Sequence, residues 1–310
     1  MPAKTFDNVK GSFPIGFVIW NTDKHEPFAQ TQTDVYDADG EYQGKKNISS
    51  SIQTNKSIND WLLKNTAKEN HKGIMVTRGF DFQHQKYVIL QSTESLSMTN
   101  YYIFEYNLLQ YAIYFAVRHC IEATWLNDRD QFLFPNDGWQ SDSEFQADCL
   151  AFTLLHGQNR ITCTQGINHW IPYTESEVEA REKFASHFMS DFMAGKAAAS
   201  SAAPDTLFAA EQTSLVPTAP MHFSPEAQSV LQAGRALWHY YHQTCAAAHY
   251  NPNAALYDIR AYFQGRNEKG KMNNTSTDEQ YNTLIATLRQ NLKILAKKIE
   301  PKVYAYGFLK

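Results

Sequence analysis

In NLLQYAIYFAVRHCIEAT, residues 107–124, the pattern of the chain changes from strand-like to helical, and this change indicates the fold class. The stretch is apolar and aromatic over a length that exceeds an ordinary strand, which favours a helix. The short apolar runs before it predict strands and are SFPIGFVIW (12–20), GIMVT (73–77) and KYVILQS (86–92). Asp39-Gly40 predicts a turn, and a short helix is expected around Ile58, Trp61 and Leu62. The predicted fold is therefore α+β, with a small β-containing N-terminal part followed by a mainly helical C-terminal part.

Helix-start signals divide the region after residue 124. Three Ser or Thr residues precede a Gln or Glu by three positions and predict capping boxes, at Ser143/Gln146, Thr174/Glu177 and Thr277/Gln280. Ser224-Pro225 predicts a helix start with proline in the first turn. The box at Thr174 predicts one amphipathic helix over TESEVEAREKFASHFMSDFM, residues 174–193. A further helix is expected after Asn251-Pro252, ending near Gly265.

Composition separates a linker from two larger parts. Residues 194–221 are rich in Ala, Ser, Thr and Pro and poor in large apolar side chains, which predicts a linker. It divides an α+β body (1–193) from a helical C-terminal module (222–310). The module carries 11 Lys and Arg against 6 Asp and Glu, a net charge of +5, although the whole chain has a net charge of −4. A basic module on an acidic body is compatible with a surface that faces phosphate, and equally with a lysine-rich helix face exposed to water.

Several classes of protein are disfavoured by what the sequence lacks. It has no apolar run long enough to span a bilayer and no signal-like start, so we expect a cytoplasmic protein without a membrane partner. The four cysteines, Cys120, Cys149, Cys163 and Cys245, form no C-x-x-C pair and are interpreted as core thiols. His239 and His242 lie three apart without a third ligand at an informative spacing, so no metal site is predicted. Walker, nucleophile-elbow and dinucleotide-binding motifs are also absent from the sequence.

The segment WLNDRDQFLFPND, residues 125–137, places three carboxylates around one arginine. Asp128, Asp130 and Asp137 would form the site of a metal-dependent hydrolase or nuclease if they converged on one point. Proximity in sequence does not show convergence, and the turn-forming and aromatic neighbours favour a structural cluster in which Arg129 pairs with an aspartate. The structural interpretation is preferred, and the enzymatic one is kept as an alternative.

The segment QGRNEKGKMNN, residues 264–274, is polar, glycine-punctuated and positively charged. Arg266, Lys269 and Lys271 are candidate phosphate contacts, and Asn273 and Asn274 are candidate donors to bases or phosphates. A solvated connection between two helices is the plain alternative. The helix after it repeats its apolar side chains at spacings of three and four, which predicts core packing or, as another alternative, a helical protein-interaction subunit that binds a partner helix.

Five segments, in this order, carry a resemblance to a known family. They are FPIGFVIW (13–20), DFQHQ (81–85), EATWLNDRDQFLFPND (122–137), INHWIPYTESEV (167–178) and YFQGRNEKGKMNN (262–274). With them the chain resembles the C-terminal, target-recognition region of bacterial adenine-N6 DNA methyltransferases of restriction-modification systems. The likeness runs from about Gly11 to Lys310, excepting the linker.

This resemblance implies a truncated enzyme region that recognises duplex DNA. The family's glycine motif for S-adenosylmethionine and its Asn-Pro-Pro-aromatic catalytic motif lie upstream of this region and have no counterpart here, so no catalytic residue is carried over. We therefore expect no enzyme activity and no cofactor in this chain by itself. S-adenosylmethionine is expected only in a catalytic methyltransferase subunit or an upstream half, and the chain would be a split or truncated product or a separate specificity subunit.

Overall fold

The computed structural model describes residues 23, 30–37, 39–49, 56–62, 68–124, 127–128, 130–196 and 216–310. The predicted strand at 12–20 lies outside these residues, as do Trp125, Arg129 and most of the predicted linker.

The first sheet is an antiparallel hairpin of β1 (Gln30–Tyr36) and β2 (Tyr42–Ser49). The amide of Gly40 donates to the carbonyl of Asp37 at 3.2 Å, and the side chain of Asp37 accepts from the amides of Asp39 and Glu41. Because this Asx-type bonding closes the loop, the turn predicted at Asp39-Gly40 is confirmed.

The second sheet has the strand order β5-β3-β4-β6. Its strands are β3 (Gly73–Thr77), β4 (Ile89–Gln91), β5 (Thr99–Ile103) and β6 (Asn159–Arg160). β3 is antiparallel to β4 and β5, whereas β4 and β6 run parallel. The strand predicted at 86–92 is shorter than expected, because Lys86 and Tyr87 belong to a 3₁₀ helix (Phe82–Tyr87).

The remaining regular structure is mainly α-helical. The helices are α1 (Ile58–Trp61), α2 (Leu108–His119), α3 (Ser143–Leu155), α4 (Glu175–Val178), α5 (Phe188–Met193), α6 (Pro225–Thr244), α7 (Leu256–Gln264) and α8 (Glu279–Ala305). Two small sheets in the N-terminal half and a mostly helical C-terminal half confirm the α+β prediction. Within the described ranges no helix combines the length and the apolar character that a bilayer crossing requires.

The core joins both halves of the described chain. α2 is buried from Leu108 to Arg118 and packs on α3 and α8, and α6 and α8 pack on each other and on α3. The apolar side of α8 is buried within the chain, including Leu288, Leu292 and Leu295. The division into a body, a linker and a C-terminal module stays a prediction.

Two helix starts differ from the predicted capping boxes. Asp142 caps α3 by accepting from the amide of Phe145 at 3.0 Å, and Gln146 donates instead to the carbonyls of Trp139 and Gln140. Asp278 caps α8 by accepting from the amide of Tyr281 at 2.8 Å. In both cases an aspartate next to the predicted cap takes its place, because a carboxylate is at least as good an N-cap as a hydroxyl group.

The single helix predicted over 174–193 is wrong. The Thr174/Glu177 capping box is present, but α4 ends at Glu179, whose φ of 50° is left-handed. The helix does not resume until Phe188. The intervening backbone is held by side chains, since the carboxylate of Glu175 accepts from the amide of Phe184 and the side chain of Asn253 accepts from that of Ala185.

Candidate nucleic-acid interface

The basic loop, defined as residues 264–274, is a compact hairpin that follows α7. Arg266 and Met272 form an antiparallel bridge, and the amide of Asn267 donates to the carbonyl of Lys271 at 2.8 Å. The turn closes through Gly270, whose φ of 72° is one that glycine adopts without strain. The sequence predicted a connection, and the structure shows a hairpin.

The two lysines of the basic loop are placed by one asparagine. The side-chain oxygen of Asn267 accepts from the amides of Lys269 and Lys271, each at 3.0 Å. Both lysine side chains are exposed. Among the residues that the structure describes, neither ammonium group has a hydrogen-bond or ion-pair partner, so two positive charges stand on a fixed turn, open to solvent.

The other predicted contact residues of the loop differ in whether their side chains already bond within the chain. Arg266 donates to the carbonyl of Gly270 at 3.0 Å, and its guanidinium lies 5.7 Å from the centre of the Tyr257 ring. Asn273 bonds to the carbonyl of Gln264 and thereby holds the base of the loop. Asn274 is exposed. The structure thus brings all five predicted residues into one hairpin, but it uses the Asn273 side chain for support.

The sequence analysis missed three arginines, of which Arg260 contacts Gln264 at the start of the loop at 3.4 Å. The arginine cluster consists of Arg160 on β6, Arg260 on α7 and Arg289 on α8. Burial lowers the pKa of Arg260, and the positive charges of Arg289 and Arg160 lower it further, although the nearby Tyr281 opposes them. No signal in the sequence unites these residues, because they come from three separate elements.

A layer of stacked aromatic rings supports this region. Tyr240 and Phe263 stack with ring centres 5.5 Å apart, and Phe263 and Tyr281 stack at 4.6 Å. The three rings come from α6, α7 and α8 and join these helices directly beneath the loop. Tyr262, the residue before Phe263, is 36% exposed, and its hydroxyl accepts from the amide of Ala246.

The predicted aspartate cluster is not assembled as a metal site. The carboxylate of Asp130 pairs with Lys46 of β2 at 2.7 Å. Asp137 begins a separate 3₁₀ helix and accepts from Gln140 at 3.2 Å, and Asp128 is half-buried. Among the described residues, no three His, Cys, Asp or Glu side chains are grouped so that they could hold a metal ion. The expected partner Arg129 lies outside the described residues.

The predicted histidine pair on α6 is divided between two environments. His239 contacts the carboxylate of Glu179 at 3.3 Å, whereas His242 is fully buried and its Nδ1 bonds to the hydroxyl of Tyr250. Burial lowers the pKa of His242 to about 4, so its ring is neutral near pH 7. His242 is therefore a core residue.

Comparisons of this chain with protein-family models, curated proteins and solved structures gave no match.

Proposed function

We propose that this chain is a noncatalytic, DNA-contacting component of a DNA adenine-N6 methyltransferase system. The observation that carries the proposal is the basic loop, in which a hairpin presents Lys269 and Lys271 without acidic partners among the described residues. Fixed, exposed ammonium groups attract the phosphate backbone of duplex DNA whatever its sequence.

The charge distribution favours an orientation of the chain in which the basic loop faces the DNA. The basic loop belongs to residues 222–310, which carry a net charge of +5, whereas the complete chain is at −4. Because the remaining residues are acidic, they would repel a duplex, and approach would be favoured from the side of the loop. Asn274 is exposed in the same loop and is the candidate for a hydrogen bond to a base or phosphate.

The resemblance to the target-recognition region of adenine methyltransferases supplies the biological setting of the proposal. Methyl transfer and S-adenosylmethionine binding are assigned to a catalytic partner, and this chain is assigned the DNA contact. Because the DNA of a restriction-modification system is cytoplasmic, we also place the chain in the cytoplasm.

The test is fluorescence anisotropy on duplex DNA at several salt concentrations. We expect Lys269→Ala/Lys271→Ala to weaken binding to all sequences and to flatten the plot of log K against log salt by about two units, since each phosphate contact contributes roughly 0.9.

The matched control is Lys45→Ala/Lys183→Ala, which removes two exposed lysines from the acidic part of the chain. Its salt slope should equal that of the wild type. An unchanged slope in the loop variant would exclude the loop from the interface, and absence of wild-type binding at ~50 mM salt would refute the proposed function.

A further inference from the structure

Contacts of Arg260 on α7 link the arginine cluster to the segment before β6 and to the first residue of the basic loop. Arg260 on α7 donates to the carbonyl of Gly157 at 3.0 Å, and Gly157 lies just before β6, which carries Arg160. The Nε of Arg260 lies 3.4 Å from the side-chain oxygen of Gln264, the residue that begins the loop. The same oxygen accepts from the hydroxyl of Tyr281 on α8, two turns before Arg289.

The immediate partners of these arginines are neutral. Arg260 contacts a carbonyl and a carboxamide, and Arg160 donates to the carboxamide of Gln158 at 2.8 Å. The nearest acidic residue in sequence, Asp258, instead accepts from the backbone amides of Cys163 and Ala255. Among the described residues, none of the three guanidinium groups forms an ion pair. Three positive charges without a counter-ion repel one another, and a bound anion would offset this repulsion.

We infer that Arg160, Arg260 and Arg289 form a phosphate-binding site. It would bind the backbone of the same nucleic-acid strand that the basic loop contacts. This inference rests on the proposed function and extends it to residues that the sequence did not indicate. Guanidinium groups suit the role because they bind phosphate oxygens in pairs of parallel hydrogen bonds, whereas a lysine offers only a point charge.

The position of Arg260 gives the site a fixed centre. Its guanidinium is held by Gly157 on one side and Gln264 on the other, so little side-chain freedom is lost when a ligand binds. Arg160 and Arg289 are exposed. The half-buried Arg260 orients the site, and the exposed side chains of Arg160 and Arg289 can turn towards a phosphate.

Helix α8 continues the positive surface away from the cluster. Lys293 and Lys297 follow Arg289 at intervals of four residues, and all three are exposed. Residues four apart share one face of a helix, and eight residues rise about 12 Å, which matches roughly three to four nucleotides of one strand. The stripe thus gives the bound strand a direction, along α8.

Two measurements test the inference on the full chain. The variant Arg160→Gln/Arg289→Gln removes only exposed charges and keeps the contacts of Arg260. On duplex DNA we expect the slope of log K against log salt to flatten by about two units. This change should add to that of the loop variant when the substitutions are combined. With inorganic pyrophosphate as a probe at low ionic strength, titration calorimetry should show at least a tenfold loss of affinity.

The control Arg78→Gln/Lys183→Gln removes two exposed positive charges from the body and should change neither measurement. If the wild type binds duplex through the loop but the arginine variant keeps the wild-type slope, the phosphate site is wrong and the proposed function stands. If pyrophosphate binds through the arginines but duplex does not bind at all, the nucleic-acid ligand and the proposed function are both wrong. Equal pyrophosphate affinities in variant and wild type would also overturn the site.

Discussion

At the scale of a single residue, Arg118 is a charge buried in the core. Its side chain is 0% exposed, and it donates to the carbonyls of Gly79 and Asp81 and to the hydroxyl of Tyr114. The guanidinium also lies 5.0 Å from the centre of the Phe132 ring. No carboxylate among the described residues forms an ion pair with it, so its charge is held by backbone dipoles and aromatic faces. Arg118 therefore ties α2 to the turn that follows β3.

Replacing Arg118 should show how much these contacts contribute to the free energy of unfolding. We expect Arg118→Met to lower the free energy of unfolding by about 2–4 kcal/mol, because two carbonyl groups and a hydroxyl group lose their donor inside the core. Urea denaturation followed by circular dichroism measures the loss. The matched variant Arg78→Met, at an exposed arginine, should change stability by about 0.5 kcal/mol or less. Similar losses in both variants would contradict the assigned role of Arg118.

At the scale of an element, Glu175 explains why residues 174–193 are not one helix. Its carboxylate accepts from the amide of Phe184 at 2.9 Å and contacts the Nε2 of His187 at 3.0 Å. Burial alone would raise the pKa of Glu175, but the hydrogen bonds from Phe184 and His187 outweigh it and lower the pKa to about 2. These two contacts of the Glu175 carboxylate, which we call the Glu175 clasp, hold the chain between Glu175 and His187 in place of helical hydrogen bonds.

The lowered pKa of Glu175 predicts a pH-dependent contribution to stability. A carboxyl group whose pKa is lower in the folded state stabilises the fold above its unfolded pKa, about 4.3, and loses that effect as pH falls towards 2. Glu175→Gln should therefore be less stable than the wild type at pH 6, and the difference should shrink between about pH 5 and pH 2. Urea denaturation across this range measures it. Glu182→Gln, at an exposed carboxylate in the same segment, should show no such trend, and a constant difference for Glu175→Gln would refute the Glu175 clasp.

At the scale of the whole molecule, α6 approaches the N-terminal half at Gly234. A Cβ atom there would lie 2.8 Å from the methyl carbons of Leu155 on α3 and would also collide with the hydroxyl of Tyr173. That hydroxyl donates to the carbonyl of Leu231 at 2.7 Å, so the tyrosine is fixed against α6. The glycine is therefore required by close packing between the two halves of the chain.

The variant Gly234→Ala separates helix propensity from packing. Alanine should favour an isolated helix by about 1 kcal/mol, yet overpacking at this contact should make the net change destabilising by about 1–3 kcal/mol. Gln232→Ala, at an exposed position of α6, should stay within about 0.5 kcal/mol of the wild type. Thermal and urea unfolding compare the two, and a more stable Gly234→Ala variant would disprove close packing at this point.

Features that depend on local order could be predicted from the sequence. The change of pattern after residue 107 identified the α+β class, Asp39-Gly40 identified a hairpin, and Ser224-Pro225 identified the start of α6. Turn, cap and strand preferences act over a few residues, so they can be read from neighbours. The basic loop was found in the same way, from charges that are adjacent in the chain.

Contacts between residues that are distant in sequence were visible only in the folded chain. The fold gave Asp130 and Asp137 different partners, Lys46 and Gln140. It also divided the helix predicted over 174–193 through contacts of Glu175 and Asn253. It linked Arg260 on α7 to Gly157 and to Gln264 of the basic loop, contacts that no pattern in the sequence indicates. Ion pairs and other side-chain contacts depend on distances in space, which are fixed by packing of the core. Local preferences specify only the elements that pack.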